Sequence, residues 1–309
     1  MLSLLLFLAC TATDKPVGDD TALDTAEGPQ PAALAPLSSD SCPDLSASGT
    51  STFVSSGEDR QVTIVLPESG VQAGAGINFF FHGLTEPTQT SNPGGDTASG
   101  LDFQAVANET GDIWVAPDSQ VQNLYNIMDV YLWDLGLATD HDLVLYDDLR
   151  TCIAQKWEVD LKHVVAMGFS GGALFTTVVA VHRADTLATV IEMSGGSDLT
   201  VPGQDDLWSK YATPTTNFPV LLSTGGETDV WPSTQMVIVD FGAATDTFQG
   251  ELRTDSHFGV RCEDDRGHSM NNKEWNLAQA WASAHTFGEP SPWEDGDLGD
   301  DADWCVIAE

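Results

Sequence analysis

The sequence predicts one α/β domain built on a mostly parallel sheet. Three observations carry this prediction. Apolar runs of strand length recur along the chain, segments with helical spacing fall between them, and runs such as "GINFFFHGL" (76–84) are apolar without interruption. Strands alternating with helices become parallel neighbours joined by crossovers. Strands covered on both faces lose the period-two pattern of a half-buried strand.

Taken in order, "RQVTIVLPE" (60–68) alternates and stops at Pro67, as a strand does. Residues 76–84 form a buried strand. Residues 102–111 suit a short helix closing on Gly111, and "DIWVAPDS" (112–119) suits another strand. Over 140–158, Tyr146, Leu149, Ile153 and Trp157 recur at helical spacing and predict a buried stripe. Residues 162–169 read as a strand and 172–184 as a helix. Residues 187–195 and 218–226 read as strands. Residues 233–244 are ambiguous, with a β-branched cluster, but their place between strands favours helix. Residues 272–287 form the last helix.

The 309 residues carry 47 acidic and 11 basic side chains, a net charge of −36. Such a polyanion repels nucleic acid and anionic lipid, so neither is expected as a partner. The chain opens with "MLSLLLFLAC", an apolar run ending in Ala9-Cys10, like a bacterial lipoprotein signal with Cys10 as the lipidated residue. The run is too short to span a bilayer as a helix. Residues 1–10 are therefore expected as a signal remnant and 11–44, polar and Pro-rich, as a disordered acidic tether. Residues 45–309 are expected as the folded domain with an acidic tail. With Cys10 set aside, Cys42, Cys152, Cys262 and Cys305 make an even number, which in an exported chain suggests two disulfides. The expected pairs are Cys42–Cys305, clamping the domain ends, and Cys152–Cys262.

"VVAMGFSGGALFTT" (164–177) places Gly168-x-Ser170-x-Gly172 between a predicted strand and a predicted helix. That is the setting of a nucleophile elbow, a turn so sharp that glycines must flank it. A serine hydroxyl is barely ionised at neutral pH and needs a base. His268, in a Gly-His loop leading into the last helix, is the candidate, and His257 is the runner-up. His182 and His285 lie in helices, and His82 precedes the serine. The acid that orients the base should follow a strand, and Asp229 after "FPVLLSTGG" has the right spacing, ahead of Glu227 and Asp198. Strand 76–84 ends in His82-Gly83, so the N–H of Leu84 and that of Gly171 are candidate oxyanion donors.

Together "FFFHGL", "VDLKHVVAMGFSGG", "PVLLSTGGETDVWP" and "RGHSM" resemble the α/β-hydrolase superfamily over about residues 50–287. Within it the chain is similar to secreted polyhydroxybutyrate depolymerases and to feruloyl and acetylxylan esterases. The resemblance implies the α/β-hydrolase fold, a triad of Ser170, Asp229 and His268, and hydrolysis of short-chain or polymer-linked esters outside the cytoplasm. The usual aromatic residue beside the base is replaced, since Ser269 and Met270 follow His268. Trp133 and Trp231 are candidates to line the cleft, and the short polar segment 196–217 leaves no length for a large lid. No cofactor or metal is implied, because no Cys-x-x-Cys or paired helical histidines occur. A monomer is expected, attached to a membrane only through a lipid on Cys10. A serine peptidase of the same fold and a non-catalytic surface binding protein are the competing classes.

Overall fold

The computed structural model describes residues 28–124, 126–136, 138–197, 213–214, 216–232, 237–299 and 302–308. The strands are β1 (Gly49–Ser55), β2 (Glu58–Val65), β3 (Ile77–Phe81), β4 (Ile113–Pro117), β5 (Gln120–Leu124), β6 (Met128–Leu132), β7 (Val164–Phe169), β8 (Thr189–Met193), β9 (Val220–Thr224), β10 (Val230–Trp231), β11 (Val239–Asp240), β12 (Gly259–Glu263) and β13 (Cys305–Ile307). The helices are α1 (Pro93–Gly100), α2 (Phe103–Thr110), α3 (His141–Lys156), α4 (Gly171–Arg183), α5 (Phe241–Thr254) and α6 (Asn272–Ala284). A nine-stranded sheet runs in the order β1-β2-β4-β3-β7-β8-β9-β12-β13. From β4 to β12 every neighbouring pair is parallel, while β1, β2 and β13 add antiparallel edges. The predicted α/β class therefore holds.

Strand β3 shows why the central strands are continuously apolar. Phe79 and Phe81 point to one face, against Tyr146 of α3 and Phe175 of α4. Phe80 points to the other, against Phe103 of α2 and Trp275 of α6. All three are at most 1 % exposed, and each such burial stabilises by roughly 2–3 kcal/mol. Helix α5 begins at Phe241, with the Asp240 carboxylate capping the Ala243 N–H at 3.0 Å. The helix expected over 233–244 is thus displaced. Its β-branched residue Val239 joins the small β10–β11 ladder instead, and residues 233–236 lie outside the described ones.

The expected disulfide pairing is wrong. The bonds are Cys42–Cys152 and Cys262–Cys305. Helix α3, which holds Cys152, packs by the β1 edge. Cys262 and Cys305 face each other across β12 and β13 at the opposite edge. Eight strand spacings of about 4.8 Å separate those edges, far beyond what one disulfide can bridge. The segment expected as a tether over 11–44 is also bound to the domain from Ala32 onward. Arg150 and Thr151 donate to the carbonyls of Ala32 and Ala35 at 2.8 and 2.9 Å, and Ser38 and Ser55 both donate to the buried Asp148 carboxylate. Side chains of α3 thus satisfy a backbone that has no sheet to join. Residues 1–27, with Cys10, lie outside the described residues.

Candidate active site

Three loops at the carboxyl ends of β7, β9 and β12 meet at the candidate site. The first is the β7–α4 turn, where Ser170 is held at φ 57°, ψ −125°, a conformation that L residues rarely adopt. The neighbouring glycines make it possible. A Cβ on Gly172 would stand 1.9 Å from the Phe81 carbonyl oxygen, and one on Gly168 would stand 2.5 Å from Gly172 backbone. The Ser170 N–H donates to Met193 O at 3.0 Å, tying the turn to β8.

The Ser170 hydroxyl lies 2.8 Å from His268 Nε2, and His268 Nδ1 lies 2.7 Å from Asp229 Oδ1. Asp229, fully buried, also accepts at Oδ2 from the Ser194 hydroxyl and from the Gly225 N–H, each at 2.8 Å. A carboxylate with these donors claims the Nδ1 proton, which leaves Nε2 free to accept from serine. The acid and base loops touch through backbone. Gly267 N–H donates to Gly225 O at 2.9 Å, and a Cβ on Gly225 would stand 2.0 Å from Gly267 O. The base loop is anchored below by Arg266, which donates to Ser269 O, Asp264 and Glu274. Burial pushes the Glu274 carboxyl up to about 7 in spite of the Arg266 charge.

Leu84 and Gly171 come together beside the serine. A Cβ on Gly171 would lie 3.4 Å from Leu84 N, and one on Gly83 would lie 3.3 Å from Ser170 Cβ. Among the described residues neither N–H donates a hydrogen bond within the protein. His82 shapes this turn from beneath. Its Nδ1–H donates to Gly83 O at 2.7 Å, its Nε2 accepts from Ser119 N–H at 3.1 Å, and burial holds it down at about 4. A cleft of about 250 Å³ opens here, lined by Leu84, Thr85, Thr90, Asp96, Thr97 and Phe169.

The remaining candidates separate. Trp133 does not line a cleft. It is 1 % exposed, stacks on Phe175 at 4.7 Å and donates to His82 O at 2.9 Å. Its large apolar surface serves the core under the turn. Trp231 is half-buried on β10, two residues from Asp229, and packs against the core. His257 is buried with Nδ1 at 3.0 Å from Phe218 O, and His285 is buried between Trp281 O and Ser291. Glu227 lies in the turn before Asp229, and it is Asp229 that His268 Nδ1 meets. Asp198 and most of 196–217 lie outside the described residues.

Sequence reasoning missed four contributors. Ser194 and Gly225 hold Asp229. Phe169 and Phe241 flank the His268 ring, at 5.0 Å and 22° and at 4.4 Å and 6°. These rings hold the imidazole between them, where the sequence offers no aromatic residue directly after His268. Phe169 was visible as the serine's neighbour, whereas Phe241 is 27 residues upstream of His268 and gave no local signal.

No protein-family model matches the sequence, and no curated protein matches it. Solved structures do match. The native sOPH structure superposes with a TM-score of 0.64 at 18 % identity, covering 86 % of this chain and 96 % of that one. Native pOPH gives 0.62 at 15 %, covering 86 % and 96 %. An S-formylglutathione hydrolase from Agrobacterium tumefaciens gives 0.51 at 13 %, covering 76 % and 91 %. With its mostly parallel sheet, helices on both faces and a strained serine turn after a central strand, this chain has the α/β-hydrolase fold.

Proposed function

We propose that the chain is a serine carboxylic ester hydrolase. The observation that carries this reading is the continuous hydrogen-bonded chain from Ser170 through His268 to Asp229. As Ser170 Oγ bonds to the ester carbonyl carbon, His268 Nε2 takes its proton and the carbonyl electron pair moves to oxygen. The oxyanion faces the N–H groups of Leu84 and Gly171, each worth a few kcal/mol when aimed at developing charge. Collapse breaks the bond to the alcohol, which leaves with the proton from His268. Water, deprotonated by the same imidazole, then releases the acid from the acyl-serine.

The modest cleft beside Leu84 and Phe169 suits short acyl chains, and its open rim suits alcohols that belong to a polymer. Trp231 is a candidate to border the alcohol side. The two disulfides favour an oxidising compartment, and with Cys10 they support an exported protein attached to a membrane by lipid or released from it. Ser170→Ala should abolish hydrolysis of p-nitrophenyl butyrate while the protein stays folded, and a fluorophosphonate probe should label only the unsubstituted protein. Absence of labelling at Ser170 would sink the reading.

A further inference from the structure

Glu192 has no part in that chemistry, yet it is completely buried in the middle of the sheet, on β8. Its Oε1 lies 2.6 Å from Thr177 Oγ1, and the same hydroxyl lies 2.8 Å from Gly196 O. Among the described residues its Oε2 makes no hydrogen bond of regular geometry. Thr177 owns one proton and cannot donate to both oxygens. With an ionised Glu192, one of these short contacts would be acceptor against acceptor, and a negative charge with no cation beside it would sit in the core. One extra proton removes both problems.

The surroundings supply no charge to offset. Helix α4 carries only His182 and Arg183 as ionisable groups, at its far end. Flanking strands β7 and β9 carry none. Asp229 faces the turn through Ser194, and Glu251 of α5 faces it through Ser197. The other ionisable groups of α5 are Asp246, which pairs with Arg261, and Arg253. Among the described residues no basic side chain pairs with Glu192. Burial accordingly pushes its carboxyl up to about 8, outweighing the Thr177 hydroxyl and the Gly196 N–H, which favour the ionised form.

The turn that Glu192 supports is the one that holds the acid. Ser194, at φ 55°, is followed by Gly195 and Gly196, packed so closely that a Cβ on Gly195 would lie 2.5 Å from Glu192 Oε2. Thr245 of α5 donates to Gly195 O at 3.1 Å from the other side. We propose that Glu192 is a neutral carboxylic acid and a positioning residue, donating through Thr177 to Gly196 O and so fixing the turn that aims Ser194 at Asp229. The kinetic consequence rests on the hydrolase reading above. The protonation state does not.

Glu192→Gln tests both. The amide donates to Thr177 in the same place and cannot ionise. In urea unfolding, the stability of the native protein relative to E192Q should fall as pH rises from about 5 to about 8, because the raised carboxyl binds its proton more tightly folded than unfolded. In hydrolysis of p-nitrophenyl acetate, E192Q should keep kcat within about threefold at neutral pH, a change of under 1 kcal/mol. Its alkaline decline should move up by a pH unit or more. Thr177→Val should lower kcat with KM unchanged. A pH-independent stability difference, an unmoved alkaline limb, or full kcat in T177V would each overturn the proposal. If no ester is hydrolysed by any variant, the unfolding comparison alone decides the neutral acid, and only the hydrolase reading falls.

Discussion

Removing the Ser194 hydroxyl gives a clean measure of how much the buried acid depends on its own support. Ser194→Ala deletes one donor to Asp229 Oδ2 and leaves the Gly225 N–H at 2.8 Å in place. A hydrogen bond to a charged group contributes about 1.5–3 kcal/mol. Asp229 is fully buried, so no solvent replaces the lost donor. The bond exists before and during attack, so only part of its energy acts on the barrier. That part is the freedom Asp229 gains to turn from His268 as the imidazolium forms. Half of the bond's energy, about 1 kcal/mol, corresponds to a five- to tenfold fall in kcat. KM should stay unchanged, and the unfolding free energy should fall by about 1–2 kcal/mol. Ser194→Gly separates the effects. It loses the same hydroxyl but relieves the positive φ, so its kcat should match S194A whatever its stability. Initial rates on p-nitrophenyl acetate and urea titrations provide both readouts. Wild-type kcat in both variants would refute the argument and show that Gly225 alone suffices.

Other consequences can be checked directly. Gly172→Ala must displace the Phe81 carbonyl from 1.9 Å and should fold poorly, whereas Gly171→Ala meets ordinary contacts and should fold with reduced kcat. Thermal melts and rates on the two proteins distinguish these outcomes. Phe241→Leu removes a stacked partner of His268, worth about 0.5–1.5 kcal/mol, and should lower kcat two- to tenfold. An unchanged rate would make Phe241 mere packing. Burial holds His285 down at about 4. Its neutral form is favoured in the fold, so stability should fall as pH drops from 6.5 towards 4, by about 1.4 kcal/mol per unit. His285→Gln should show a shallower loss in acid; an identical slope would contradict the assignment.

What sequence alone determined is local in origin. The run at 76–84 announced a strand buried on both faces because both faces of β3 demand apolar side chains. The glycines around Ser170 announced a sharp turn because a Cβ there meets backbone. The order of Ser170, Asp229 and His268 along the chain was readable, and the folded chain brings these three within hydrogen-bonding distance. Only the tertiary structure decided which cysteines pair, because strand order places β1 and β13 at opposite edges. It also decided that Trp133 is core, since size and apolarity suit a cleft and an interior equally well. Ser194, Phe241 and Glu192 take their roles from partners 35, 27 and 15 residues away. Backbone sterics and burial patterns act on neighbours in sequence, whereas hydrogen bonds between loops depend on where the sheet sets them down.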